Sequence, residues 1–243
     1  MKKYSGLSGR IYIPAILLML VVLSSFIPPA PAKVSVKMEA KMLNKGKVFV
    51  VNADIFYQFD QGRMLTHYTK PMDYLFITNN KGEAKVYFPE SNEVMVRQSA
   101  EFDTEKSVLY FFLANKLRDL GLSDMGFKIT GTKTEEGLVI TTWSPPADLL
   151  SVYTKVELVH EKYTPIFIAW YGPKNKLVKK IFYYDYDSHA DFSMPMKVVE
   201  ISYAPNGDST INKMSYSQLL SGPQANSPYF NFKIPVNAKV KTP

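Results

Sequence analysis

Residues 103–121 read DTEKSVLYFFLANKLRDLG, the one long helical pattern in a chain that otherwise alternates like strand after strand. Asp103 is suited to the N-cap, Glu105 falls in the electropositive first turn, and Gly121 offers a left-handed stop after the last periodic residue. Leu109, Phe112, Leu113, Leu117 and Leu120 recur at helical spacing on one face, and Lys106, Asn115, Arg118 and Asp119 point away from it. Val108, Tyr110, Phe111 and Ala114 widen the apolar surface beyond a single stripe. Two readings stand for such a helix: ordinary core filling the mouth of a sheet, or a cover over a ligand space.

The residues before it set the sheet. Val34, Val36, Met38, Ala40 and Met42 alternate with Ser35, Lys37, Glu39 and Lys41, the pattern of a half-buried strand. After a turn at Asn44–Gly46, Phe49, Val51, Ala53, Ile55, Tyr57 and Phe59 share one face, opposed by Asn52, Asp54 and Gln58, so a long antiparallel hairpin is expected. A strand from Gly62 to about Thr69 ends at Lys70-Pro71, where proline has no donor for the ladder. Strands at 74–78, 83–88 and 94–98 are separated by NNKG and PESN, both turn-forming.

The rhythm resumes downstream at 127–132, 138–143, 152–160, 165–171, 176–186, 196–203 and 209–217. Asn206-Gly207 predicts a tight hairpin turn, because both residues tolerate positive φ. Phe230, Phe232 and Ile234 alternate near the end, as a closing edge strand would. About a dozen strands in one sheet must curl, split into layers or close. Curling leaves a concave apolar face in need of a cover, and the 103–121 helix is the candidate. The expected class is mainly β, a strongly curved antiparallel sheet with a helical lid.

Composition is consistent with one large core. Apolar residues make up 46% of the chain and aromatics 14%, too many for a disordered polymer. With no cysteine there is no disulfide framework, thiolate metal site or thiol nucleophile. Residues 1–32 read as a secretory signal peptide: Lys2, Lys3 and Arg10, an uncharged apolar run from Ile11 to Ile27, then Ala30-Pro31-Ala32 for cleavage. An uncleaved anchor is the alternative, although the run is short for a span and holds Pro14, Ser24 and Ser25. Lys2, Lys3 and Arg10 are its only charged residues, so cleavage lowers the formal charge from +7 to +4. One domain is expected over 33–243, in the periplasm.

Constellations for chemistry are sparse. Asp185, Asp187, His189 and Asp191 are spaced by two and would share one face of an extended segment, ligands suited to a hard metal, though they also suit a turn. His67 and His160 lie in strand patterns with no nucleophile motif beside them. No phosphate-binding glycine loop, G-x-S-x-G, HExxH or paired zinc spacing occurs. The aromatics are not interleaved with a basic patch, so nucleic acid is not an expected partner. No cofactor or catalytic residue is expected, and the surplus of apolar surface points to a hydrophobic ligand.

The segment from Gly62 to Pro89, GRMLTHYTKPMDYLFITNNKGEAKVYFP, resembles the signature region of the LolA-type periplasmic carriers of outer-membrane lipoproteins. Gly62, Lys70-Pro71, Gly82 and Tyr87-Phe88-Pro89 match its landmarks, Ser107 to Leu120 resembles its helical lid, and Phe230, Phe232 and Pro235 resemble its closing F-x-F-x-x-P. The resemblance implies an unclosed β-barrel that holds acyl chains on its concave face. It also implies an inner-membrane transporter as donor, an outer-membrane acceptor, lipidated proteins or lipid acyl chains as cargo, and a monomeric carrier.

It further implies Leu109, Phe112, Leu113 and Leu117 as lid contacts and Lys70 as the lid latch. Lysine stands at Lys70 where the family has arginine, and it lacks the planar guanidinium fork, which implies a loosely seated lid. Phe49, Val51, Ile55 and Tyr57 are the candidate concave wall, with either strand face open to that role. A lipid-binding or sensing module on the same fold, or an envelope protein whose core is filled by its own side chains, are the alternatives.

Overall fold

The computed structural model describes residues 32–189 and 191–241, so the expected signal segment lies outside the described residues apart from Ala32. The first hairpin follows directly from its alternation. Strands β1 (Lys33–Asn44) and β2 (Lys47–Gln58) pair in register from Lys33↔Gln58 to Asn44↔Lys47. Lys45 and Gly46 both take positive φ, 47° and 75°, the two-residue geometry whose twist matches the flanking strands.

A meander continues through β3 (Arg63–Lys70), β4 (Tyr74–Asn79), β5 (Glu83–Phe88) and β6 (Glu93–Gln98). A second runs from β7 (Lys128–Glu135) and β8 (Leu138–Ser144) to β9 (Lys155–Glu161), β10 (Thr164–Tyr171) and β11 (Leu177–Ser188), then β12 (Ser193–Tyr203) and β13 (Ser209–Ser221). Pairing of β1 with β13 joins the two meanders. With β14 (Lys239–Val240) parallel to β6, the order is β14-β6-β5-β4-β3-β2-β1-β13-β12-β11-β10-β9-β8-β7, one open sheet of fourteen strands. It is the mainly β, unclosed architecture expected.

Curvature follows from what the inner face touches. Tyr110 packs on Tyr57 of β2, and the Leu117 carbonyl accepts a hydrogen bond from His160 of β9. Those strands are six steps apart in strand order. At about 4.8 Å per step a flat sheet would separate them by roughly 29 Å. The eight residues from Tyr110 to Leu117 bridge them only because the sheet curls around that segment.

The two faces are covered differently. On the inner face Val34, Val36, Ile55, Tyr57, Trp143, Val156, Leu158, Ile168 and Val198 form one core with the segment between β6 and β7. On the outer face Phe56, Leu65, Leu75, Tyr87 and Val94 pack beneath Ala225 and Phe230 of the C-terminal segment. Both cores are built from residues between Val34 and Ala238.

The C-terminal segment departs from expectation. Phe230, Phe232 and Ile234 do alternate into the outer core, but not as an edge strand. Residues Pro228–Asn231 form a 3-10 turn and lie across the sheet face. Pro228 and Pro235 cannot donate to a ladder. The carbonyls are taken instead by Arg63, whose guanidinium donates to the carbonyls of Phe230 at 3.1 Å and Phe232 at 2.9 Å. The β12–β13 turn also differs: only Gly207 takes positive φ, 89°, and Ala204 accepts the Gly207 N–H around Pro205-Asn206, a three-residue loop.

Candidate ligand site

The cover is shorter than the sequence pattern predicts. Its regular helix, α1, spans Val108–Leu113 only, preceded by 3-10 turns at Ala100–Phe102 and Thr104–Lys106. Ser107, not Asp103, caps α1: its hydroxyl oxygen accepts the Tyr110 N–H at 3.1 Å. Asp103 caps the preceding turn through the Glu105 N–H. The helix ends where Asn115 turns left-handed, φ 54°, and the Lys116 N–H closes back on the Phe111 carbonyl at 2.7 Å.

Apolar periodicity nonetheless continues past that stop, because the turns from Leu117 to Phe127 also face the core. Gly121 serves a different purpose from a helix stop. At φ 81° its missing side chain leaves room for the Phe111 ring, whose nearest atom would lie 2.1 Å from a Cβ placed there.

Polar tethers hold the cover at both ends. Thr104 Oγ1 donates to the Gly62 carbonyl at 2.8 Å, and the Ser99 N–H donates to the Gly82 carbonyl at 3.0 Å. Two landmarks of the resemblance thus become acceptors for the lead-in to α1. At the far end His160 Nε2 donates to the Leu117 carbonyl at 2.9 Å. Lys70 is exposed at the end of β3, and no hydrogen bond or ion pair joins it to α1 among the described residues.

Between α1 and strands β11–β13 lies a cavity of about 110 Å³. Val108, Leu109 and Phe112 form its roof, and Ile181, Tyr183, Met194, Val198, Met214 and Tyr216 its floor. Phe112 stands edge-on to Tyr183 at 5.1 Å and to Tyr186 at 6.1 Å. Burial raises the Tyr183 and Tyr186 phenols above their ordinary range and pushes Tyr216 up to about 12, so all three are neutral at physiological pH. Glu200 is the one charged residue of the lining, and Ser202 donates to it at 3.3 Å.

The expected site residues fall in distinct places. Leu109 and Phe112 reach the cavity; Leu113 is buried in the inner core, and Leu117 packs against that core from the turn beyond. Ile55 and Tyr57 are buried under the cover, and Tyr57 meets Tyr110 edge-on at 6.1 Å. Val51 is half-buried, and Phe49, on the same face, lies beyond the cover in the exposed end of the hairpin. The floor strands β11–β13 were not singled out by the sequence reading, although Met194, Met196 and Met214 in strand patterns could have marked an adaptable wall.

The acidic run does not converge. Asp185 takes φ 53° within the continuous β11–β12 register and pairs with Lys197 at 2.6 Å, whereas Asp187 lies 3.7 Å from His189. Among the described residues no three His, Asp or Glu side chains group so as to hold a metal ion. His67 bonds Asp73 at 2.9 Å.

The chain is thus an open, curled antiparallel sheet with an apolar space beneath a short helical cover. Three solved structures share the fold. A LolA superfamily protein from Nitrosomonas europaea is 12% identical with a TM-score of 0.54, over 89% of this chain and 96% of that one. A putative outer-membrane lipoprotein-sorting protein domain from Vibrio parahaemolyticus is 15% identical with a TM-score of 0.56, over 88% and 95%. A DUF1329 family protein from Desulfovibrio piger is 14% identical with a TM-score of 0.55, over 90% and 96%. At these identities the likeness establishes the fold. No family sequence profile matches the chain, and no curated protein matches it in sequence.

Proposed function

We propose that this chain is a periplasmic carrier that takes up the acyl chains of lipidated proteins on its inner face and passes them toward the outer membrane. The observation that carries the reading is the apolar cavity between α1 and β11–β13. Each methylene moved from water into it contributes about 0.8 kcal/mol, so even part of one chain gives useful affinity without a covalent step. Export by a cleaved signal peptide, one domain over 33–243, an inner-membrane donor, an outer-membrane acceptor and a monomeric working unit belong to the same reading.

Cargo larger than the cavity is accommodated by movement of the wall. Met38, Met194, Met196 and Met214 lie on the inner face, and unbranched thioether side chains re-pack at low cost. Leu113, Leu117, Ile55, Tyr57 and Val51 would then be reached as the cover lifts, with Lys70 at most a loose latch because lysine lacks the guanidinium fork.

The small cavity also favours a second reading, an envelope protein whose core is filled by its own side chains. One titration separates the two. A fluorescent acyl probe should gain intensity with the purified protein, and Leu109→Trp, which fills the roof without burying a charge, should weaken uptake at least about tenfold while leaving the fold intact. No uptake by the unaltered protein would select the self-filled core.

A further inference from the structure

The β1–β2 hairpin runs past the cover, and all ten residues Lys41–Val50 are exposed. Half of them are large and apolar: Met42, Leu43, Val48 at 62% exposure, Phe49 at 54%, and Val50. Strand alternation places Met42 and Phe49 on the inner face and Leu43, Val48 and Val50 on the outer. A hairpin that is apolar on both faces does not suit a one-sided protein groove. It suits immersion.

Charge at the same end has one sign on the hairpin itself. Lys45 and Lys47 flank the tip, Lys41 sits further back beside Glu39 at 2.8 Å, and Lys213 is the cross-strand partner of Lys41. Asp208, in the neighbouring β12–β13 loop, is the nearest acid in the register, and it accepts from Asn206. Anionic headgroups complement that arrangement, each lysine adding a screened attraction.

The inner face of the hairpin also leads to the cavity. Phe49 pairs with Met42, Val51 with Ala40, and Ala40 with Met214, which lines the cavity floor. We propose that the tip of the β1–β2 hairpin docks on anionic lipid bilayers, with Val48 and Phe49 inserted at the interface and Lys45 and Lys47 on the headgroups, so that an acyl chain crosses from bilayer to cavity along a dry track. The proposal rests on the carrier reading for its purpose, but its measurement does not.

The test is co-sedimentation of the processed protein, from Lys33 onward, with vesicles of equal parts phosphatidylglycerol and phosphatidylcholine, against phosphatidylcholine alone. Binding is expected to the anionic vesicles only and to fall with added salt. The V48S/F49S and K45E/K47E variants should each lose at least about tenfold in affinity. These side chains are exposed, so folding is preserved, and an unchanged near-ultraviolet circular dichroism spectrum and urea midpoint verify it. A Phe49→Trp variant should shift its emission to the blue on the anionic vesicles. Absent binding, equal binding to neutral vesicles, or variants that bind like the unaltered chain would each overturn the proposal. Failure of probe uptake with vesicle binding intact would instead count against the carrier reading alone.

Discussion

Arg63 shows how one side chain can replace a strand. Its guanidinium donates to the main-chain carbonyls of Phe230 and Phe232 at 3.1 and 2.9 Å, and burial lowers its pKa from the usual arginine value. Those carbonyls belong to a segment that forms no ladder at that point, so without Arg63 they face partly buried surroundings unpaired. Arg63→Met keeps the apolar stem and removes the fork. A loss of about 1.5–3 kcal/mol is expected, read as a lower urea midpoint with unchanged m-value. Arg63→Lys should recover only part of it, because an ammonium cannot span two carbonyls with the same fixed geometry.

At the scale of the element, the cover is a helix only in its middle. Six residues of α1 are too few to be stable alone, so its order comes from packing and from its tethers. Thr104→Val retains the shape of the buried side chain and deletes the bond to the Gly62 carbonyl. It should cost about 1–2 kcal/mol locally and speed amide exchange in 108–116, with little change in the strand amides. Equal acceleration throughout the sheet would mean that the cover does not open independently.

Across the whole molecule the buried phenols set the alkaline limit. Burial holds Tyr57, Tyr183 and Tyr186 above their ordinary range, and it raises Tyr171 and Tyr216 to about 12, Tyr171 also through its bond to Glu157. Each is an acid whose folded value exceeds the unfolded value near 10. The unfolded chain therefore binds fewer protons above that pH, and stability present below about pH 10 is lost as pH rises through the folded values. Phenolate absorbance should appear together with loss of the near-ultraviolet circular dichroism, in one transition. Phenolate formation well before unfolding would show the tyrosines to be accessible.

Alternation of Val34 to Met42 and of Phe49 to Phe59, the turn residues between strands, and the one long helical pattern at 103–121 determined by themselves that this protein is one long antiparallel succession with a cover. Those signals are local, since side-chain period and turn chemistry act within a few residues. Tertiary structure alone decided the rest. Gly121 makes room for the Phe111 ring and His160 reaches the Leu117 carbonyl, contacts between residues ten and forty-three positions apart in sequence. The cavity floor came from β11–β13 and the far end of β2 was left in solvent, because curvature, which no single strand encodes, selects which part of each inner face the short cover can reach.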